Sequence, residues 1–206
     1  MAKANLWILS AASGTGKTSL VAALLKQDPS IEVSVSHTTR SPRVGEIEGQ
    51  HYYFVSPEFF AQQVGESVFL EYAEVFGFKY GTSMREVEKR LATGIDVLLE
   101  IDWQGAEQVR RLMPDAKSIF IFPPSIGHLR QRLEGRGKDK LEVINRRLDE
   151  AKLEMSAAPT YDYWVINDDF EQATFALHAI IHAHRHEKGV MLKKNQAVFE
   201  ALSNDP

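Results

Sequence analysis

Apolar residues recur along this chain in two rhythms. Four short, nearly unbroken runs are Leu6-Trp7-Ile8-Leu9, Val97-Leu98-Leu99-Glu100-Ile101, Ile119-Phe120-Ile121-Phe122 and Trp164-Val165-Ile166. Such runs predict strands buried on both faces, as in the centre of a parallel sheet. Ile31-Glu32-Val33-Ser34-Val35 alternates instead and predicts a strand nearer an edge. Leu20, Val21, Leu24 and Leu25 fall at helical spacing, and further helical patterns run over about 104–113 and 126–155. Strands alternating with helices predict an α/β core, a parallel sheet flanked by helices.

Residues 36–94 break that rhythm. They hold short β-like pieces, Tyr52-Tyr53-Phe54-Val55, Val68-Phe69-Leu70-Glu71-Tyr72 and Lys79-Tyr80-Gly81-Thr82. One helix is expected from Ser56-Pro57, with Ser as N-cap and Pro in the first turn. Another is expected from the capping box Ser83-Met84-Arg85-Glu86. This composition predicts a small mixed α+β insert. Phe59, Phe60, Phe69 and Tyr72 in it read as core aromatics rather than a stacking platform. The tail, about 188–206, is polar and expected to be loosely held.

Charge changes the picture in one place. The whole chain of 206 residues carries −4, which disfavours bulk attraction to nucleic acid or an anionic membrane. From Arg130 to Arg147, however, seven basic residues face three acidic ones, interrupted by Gly135-Arg136-Gly137. That stretch implies an anionic partner or a solvated surface. The absence of Cys excludes disulfides, thiolate metal sites and Cys nucleophiles. No apolar stretch approaches the ~18 residues of a membrane span, and the first six residues lack the apolar core of a leader. A cytoplasmic protein is expected.

The sharpest chemical signal is Ala11-Ala12-Ser13-Gly14-Thr15-Gly16-Lys17-Thr18, between the first strand and the first helix. It matches the phosphate-binding pattern G-x-x-x-x-G-K-S/T, with Ala11 in place of the first Gly. Backbone N–H groups of such a turn form a nest for phosphate, and the helix start adds partial positive charge. Lys17 would meet the transferred phosphate, and the Thr18 hydroxyl would ligate Mg²⁺. Glu100 and Asp102 close an apolar strand, where ligands of open α/β sheets bind, and are candidates to hold Mg²⁺ through water. His178, His182 and His186 share a helix face, yet no carboxylate pattern accompanies them, so a solvated face is the better reading.

A resemblance rests on motifs that follow in order. They are Ser36-His37-Thr38-Thr39-Arg40-Ser41-Pro42-Arg43, Gly45-Glu46, Tyr52, Glu71 and Tyr80-Gly81-Thr82, then Ile101-Asp102-Trp103-Gln104-Gly105, Arg132-Leu133-Glu134-Gly135-Arg136-Gly137 and Asn167-Asp168-Asp169. Over about residues 4–190 the chain resembles guanylate kinase of the bacterial type. The resemblance implies a P-loop core (1–35, 95–125 and 158–206), a GMP-binding insert (36–94) and a helical lid (126–157). It implies transfer of the γ-phosphoryl of ATP to GMP, or dGMP, with Mg²⁺. It places the phosphate of GMP on Arg40, Arg43, Tyr52 and Tyr80, and the guanine on Ser36, Glu71, Thr82 and Asp102. Arg132, Arg136 and Arg147 match lid arginines that meet the transferring phosphoryl, and Asn167 matches a position near adenine. A homo-oligomer is left open.

The chemistry of these residue types agrees with those roles. Arginine forks bind phosphate oxygens in pairs, and a carboxylate accepts from the N1 and N2 donors of guanine. The sequence departs from the family's pattern at Ala11, at Glu100 where Asp is usual, at Phe78-Lys79, and in the basic Lys138-Asp139-Lys140. A kinase for another phosphate acceptor would not need Glu71 and the hydroxyls. A peptide-binding scaffold would not need an intact Gly16-Lys17-Thr18.

Overall fold

The computed structural model describes residues 4–135 and 141–204. The main sheet is made of β1 (Leu6–Ala11), β2 (Ile31–Val33), β7 (Asp96–Glu100), β8 (Lys117–Phe122) and β9 (Tyr163–Ile166), in the order β2-β7-β1-β8-β9. Every pairing in it is parallel, with Trp7 beside Leu98 and Leu9 beside Ile119. The alternating strand therefore lies at an edge, as its pattern predicts.

The apolar runs are explained by helices on both faces. Trp7, Leu9, Leu98 and Ile119 pack against Leu20 and Leu24 of α1 (Lys17–Gln27) and Leu177 and Ile181 of α7 (Phe170–Arg185). Leu6, Ile8, Val97 and Leu99 pack against Val87 and Leu91 of α3 (Met84–Ala92) and Ala106 and Val109 of α4 (Trp103–Leu112). Successive strand residues point to opposite faces, so a strand covered twice has no polar beat.

A second sheet has the order β4-β3-β6-β5, from β3 (Ser36–Thr38), β4 (Tyr52–Phe54), β5 (Phe69–Val75) and β6 (Phe78–Ser83). A two-residue turn joins β5 to β6, with Phe76 at φ 54° and Gly77 at φ 78°, the sign pattern that matches strand twist in tight hairpins. The pairing of β5 shifts register between Phe69 and Glu71, a β-bulge. Ser56 caps α2 (Pro57–Gly65) by accepting from Phe59 N, and Ser83 caps α3 by accepting from Glu86 N. Leu70 of β5 belongs to the same packed cluster as Leu6, Val97 and Leu99, so the second sheet is bonded to the first through shared core.

Two further helices, α5 (Ile126–Glu134) and α6 (Leu141–Ser156), enclose a third cluster of Leu129, Leu133, Ile144, Leu148 and Ala151 against Ala12 of the loop. Three expectations need correction. Ser36–Thr38 is a strand that its polar residues concealed. The single helical pattern 126–155 is two helices. Of the four aromatics, Phe60 and Phe69 are buried, but Phe59 and Tyr72 are exposed. The tail forms two helices that its polar composition did not announce, α8 (Lys188–Lys194) and α9 (Gln196–Asn204), and α8 buries none of its residues.

Candidate active site

The loop after β1 is built around two glycines. Gly14 and Gly16 adopt φ of 92° and 99°, a region that L side chains avoid. A Cβ on Gly16 would also lie 2.7 Å from Asn167 Nδ2. Ala11 ends β1 beside Ile121 and lies outside the positive-φ set, so the first glycine of the pattern is dispensable here. Thr15 is fully buried; its hydroxyl donates to Ala12 O at 2.6 Å. Its carbonyl accepts from Asn167 Nδ2 at 2.7 Å and from Arg132 at 3.0 Å. Lys17 begins α1, where Ser19 N bonds back to Gly16 O at 3.1 Å and the N–H groups of the first residues lack intrahelical acceptors.

This loop forms one wall of a cleft of about 540 Å³, and residues from the second sheet, β7 and α6 and from their loops line the rest. Ser36, Arg40, Arg43, Tyr52, Glu71 and Tyr80 come from the second sheet and its loops. Glu100 and Asp102 come from the end of β7, and Arg146, Arg147 and Glu154 from α6. The cleft thus lies at the carboxyl ends of β1 and β7, where parallel sheets bind ligands.

Two recognition surfaces can be read in the second sheet. Arg40 is buried to 8% exposure and holds Glu46 by two parallel bonds of 2.9 and 2.8 Å. Its guanidinium lies 5.3 Å from the Tyr52 ring, and Tyr52 meets Tyr80 edge to face at 5.9 Å. The Arg40 partner and the Arg43 backbone N–H pull the Glu46 carboxyl down to about 2, against its partial burial. Burial pushes the Tyr52 phenol up, and the Tyr80 and Glu100 oxygens add to it.

The other surface is a hydroxyl relay ending on a carboxylate. Thr82 Oγ1 donates to Glu71 Oε1 at 2.5 Å, and Ser36 Oγ lies 3.1 Å from Thr82 Oγ1. Since Thr82 spends its proton on Glu71, Ser36 donates to Thr82. Glu71 is 3% exposed. Burial pushes its carboxyl up to about 7; the Thr82 bond opposes this and the Asp102 charge adds to it.

Asp102 caps α4, its Oδ1 accepting from Gly105 N at 2.9 Å and its Oδ2 from Gln104 Nε2 at 3.0 Å. Among the described residues no group of three or more His, Cys, Asp or Glu could hold a metal alone. Thr18, Glu100 and Asp102 nevertheless present oxygen donors to the same cleft. That donor set suits Mg²⁺, which takes one or two carboxylates together with substrate phosphates and waters. The three helix-face histidines follow one another ring to ring at 5.9 and 4.6 Å along α7 and its C-cap, and none of them lines this cleft.

Arg132, which the resemblance matches to a lid arginine that meets the transferring phosphoryl, does not line this cleft. Its two terminal nitrogens donate to Thr15 O and Asn167 O, each at 3.0 Å, so it ties α5 to the loop. With Asn167 it lines a second hollow of about 420 Å³ that also includes Gly14, Gly16 and Phe170. Arg147 lines the main cleft, whereas Arg136 lies outside the described residues. Two acids were given no role by the sequence. Glu46 stood in a quoted motif without a role of its own. Glu154 carried no signal beyond its place at the rim of an apolar helix stripe. Its Oε2 accepts from Ser13 N at 3.1 Å, and burial pushes its carboxyl up despite that bond and the nearby Lys17 charge.

Comparison with known proteins follows this geometry. The family model described as guanylate kinase matches residues 3–184. Guanylate kinase of Hahella chejuensis is 56% identical over 98% of this chain and 95% of that protein. Guanylate kinase of Pasteurella multocida is 54% identical over 98% and 99% of the two chains. The crystal structure of guanylate kinase from Anaplasma phagocytophilum superposes with a TM-score of 0.76 at 35% identity, covering 91% of this chain and 89% of that one.

Proposed function

The chain belongs to the guanylate kinase family, and we propose that it moves the γ-phosphoryl of ATP to GMP, giving ADP and GDP, in this one cleft. The observation that carries the reading is the convergence of three chemistries there: a phosphate loop, an arginine–tyrosine cluster, and a buried carboxylate fed by a hydroxyl relay. ATP phosphates sit on residues 11–18, with Lys17 on the transferred group. GMP sits against the second sheet, its phosphate on Arg40, Arg43, Tyr52 and Tyr80. Glu71 Oε1 is taken by Thr82, so Oε2 is the acceptor offered to guanine N–H groups, with Ser36 and Asp102 beside it.

The acceptor is already an anionic phosphate oxygen, so no general base is needed. This chain's part is to orient the two phosphates in line, neutralise charge and exclude water. Arg147 supplies charge over the gap, as does Arg136 in the resemblance. Arg132 holds the loop instead. Mg²⁺, when bound between the nucleotide phosphates, supplies charge neutralisation, and Thr18, Glu100 and Asp102 would hold it directly or through water. The working division is a core of 1–35, 95–125 and 158–206, an insert of 36–94 and a lid of 126–157. ATP, GMP and dGMP are cytoplasmic metabolites, and the enzyme is placed there.

The deciding experiment is an ADP-release assay with GMP, dGMP, AMP, CMP and UMP as acceptors. Turnover with GMP and dGMP far above the other three is expected. Equal rates with all five, or none with GMP, would refute the reading.

A further inference from the structure

We propose that Gly105, in the first turn of α4, is a positioning residue that sets base selectivity by keeping open the seat of the Glu71 carboxylate. The inference rests on the reading of Glu71 as the acceptor for guanine. It starts from an unusually close approach of two elements. A Cβ built on Gly105 would lie 2.5 Å from Glu71 Oε2 and 3.2 Å from its Cδ. Real Cβ atoms essentially never approach that closely, so any other residue at 105 must displace the carboxylate. Gly105 has no need of its freedom for backbone reasons, because its φ lies outside the positive set. The demand is for space.

Two further features show why the carboxylate cannot simply retreat. The first is on its own strand. The β-bulge between Phe69 and Glu71 turns Glu71 opposite Thr82, which pins Oε1 at 2.5 Å. Bulges re-aim side chains beside active sites in this way. The second lies one helical turn along α4. Gln108 clamps the Tyr72 backbone, accepting from Tyr72 N at 3.2 Å and donating to Tyr72 O at 2.8 Å. This double bond fixes the height of β5 on α4, and it does so at the residue next to Glu71. Squeezed between Thr82 and a Cβ at 105, the carboxylate would be pushed toward the cleft that it lines. There it would occupy the place of the guanine edge. Gly105 also donates its N–H to Asp102 Oδ1, so one backbone position locates both carboxylates of the base site.

The test is a double-mutant cycle of the parent, Gly105→Ala, Glu71→Ala and the double variant, each measured for GMP and IMP binding by calorimetry and for thermal midpoint. IMP keeps N1–H and O6 but lacks the 2-amino group, so the GMP-to-IMP ratio reads the carboxylate's placement. Gly105→Ala should weaken GMP by about 10- to 100-fold, pull the GMP-to-IMP ratio toward one, and leave ATP affinity within about twofold. It should also lower the midpoint in the parent. In the Glu71→Ala background the same change should leave the midpoint level or raise it, because Ala is the better helix former and the next atom to give way, Ile101 Cβ, lies at 3.3 Å. A parental GMP-to-IMP ratio in Gly105→Ala would overturn the proposal, as would an equal midpoint loss in both backgrounds. Should Gly105→Ala fail to fold, the double variant decides: folding like Glu71→Ala supports the inference, and failure overturns it. A parent without preference for GMP would refute the guanine reading instead, and the midpoint cycle would still report on the seat.

Discussion

Replacing Glu71 with Gln separates what the buried carboxylate does for recognition from what it costs the fold. Thr82 donates to Oε1, so the Gln amide oxygen keeps that position and its NH₂ takes the place of Oε2. Guanine then meets a donor where it needs an acceptor. Losing one charge-assisted bond and leaving donors opposed costs about 3–5 kcal/mol, or on the order of a hundred- to several-thousand-fold in kcat/KM for GMP. Stability should move the other way. The carboxyl is raised from 4.5 in the unfolded chain to about 7 when folded. Its favourable contribution is complete below 4.5 and is lost as pH rises to about 7, because the unfolded chain ionises first. The gap corresponds to about 3 kcal/mol. Urea denaturation at intervals from pH 5 to 8 should therefore show the parent losing stability relative to Glu71→Gln through that window. The variant should be the more stable protein at pH 8 and nearly inactive with GMP. Parallel stability curves would refute the argument from burial, and parental GMP turnover would refute the argument from hydrogen bonding.

Lys17→Ala should abolish phosphoryl transfer with an unchanged thermal midpoint, since Lys17 lines the cleft rather than the core; residual activity near the parent's would remove the loop from the mechanism. Arg132→Ala should lose about 1–3 kcal/mol of stability by freeing the Asn167 carbonyl and removing one of the two donors to the Thr15 carbonyl, so a midpoint within about a degree of the parent would contradict the tether. Glu154→Gln keeps an acceptor for Ser13 N while removing a charge beside the phosphate seat. The KM for ATP should fall about three- to tenfold at pH 8 and by less as the pH is lowered, because burial makes the Glu154 carboxyl take up a proton more readily than a free one; a pH-independent KM ratio would count against it. Binding of both nucleotides should draw the second sheet and α6 toward the loop, and identical scattering profiles with and without a bisubstrate analogue would oppose that closure.

The main sheet was legible because burial on both faces leaves its signature in consecutive residues. Trp7 and Leu9 face α1 and α7 while Leu6 and Ile8 face α3 and α4, so no position could be polar. The loop was legible for a different reason, since glycines, Lys17 and Thr18 must be neighbours to cradle one phosphate. Ser36–Thr38 escaped notice because its pairing partners, β4 and β6, lie far along the chain and Ser36 faces the cleft. Glu154 escaped for the same reason in stronger form, its partner Ser13 being 141 residues away. Arg132 was visible as a cation of the right motif, but only its two carbonyl acceptors reveal that it serves as a strut. The helices of the tail were not legible because polar composition reports exposure, and an exposed segment can still be helical: α9 is exposed yet regular.

Leu70 and Glu71 are consecutive residues with opposite allegiances, one in the packing shared with the main sheet and the other in the cleft. For anyone redesigning such a kinase, this makes base preference a poor candidate for transplantation. A grafted β5–β6 hairpin would bring the carboxylate without the helix it rests on, and a repacked core beneath Leu70 would shift the carboxylate without touching it. Directed evolution toward a new acceptor base should therefore accumulate changes in α3 and α4 alongside the hairpin. Substitutions at Val87 or Val109, which contact no nucleotide in this reading, are where altered selectivity should first surface in a screen.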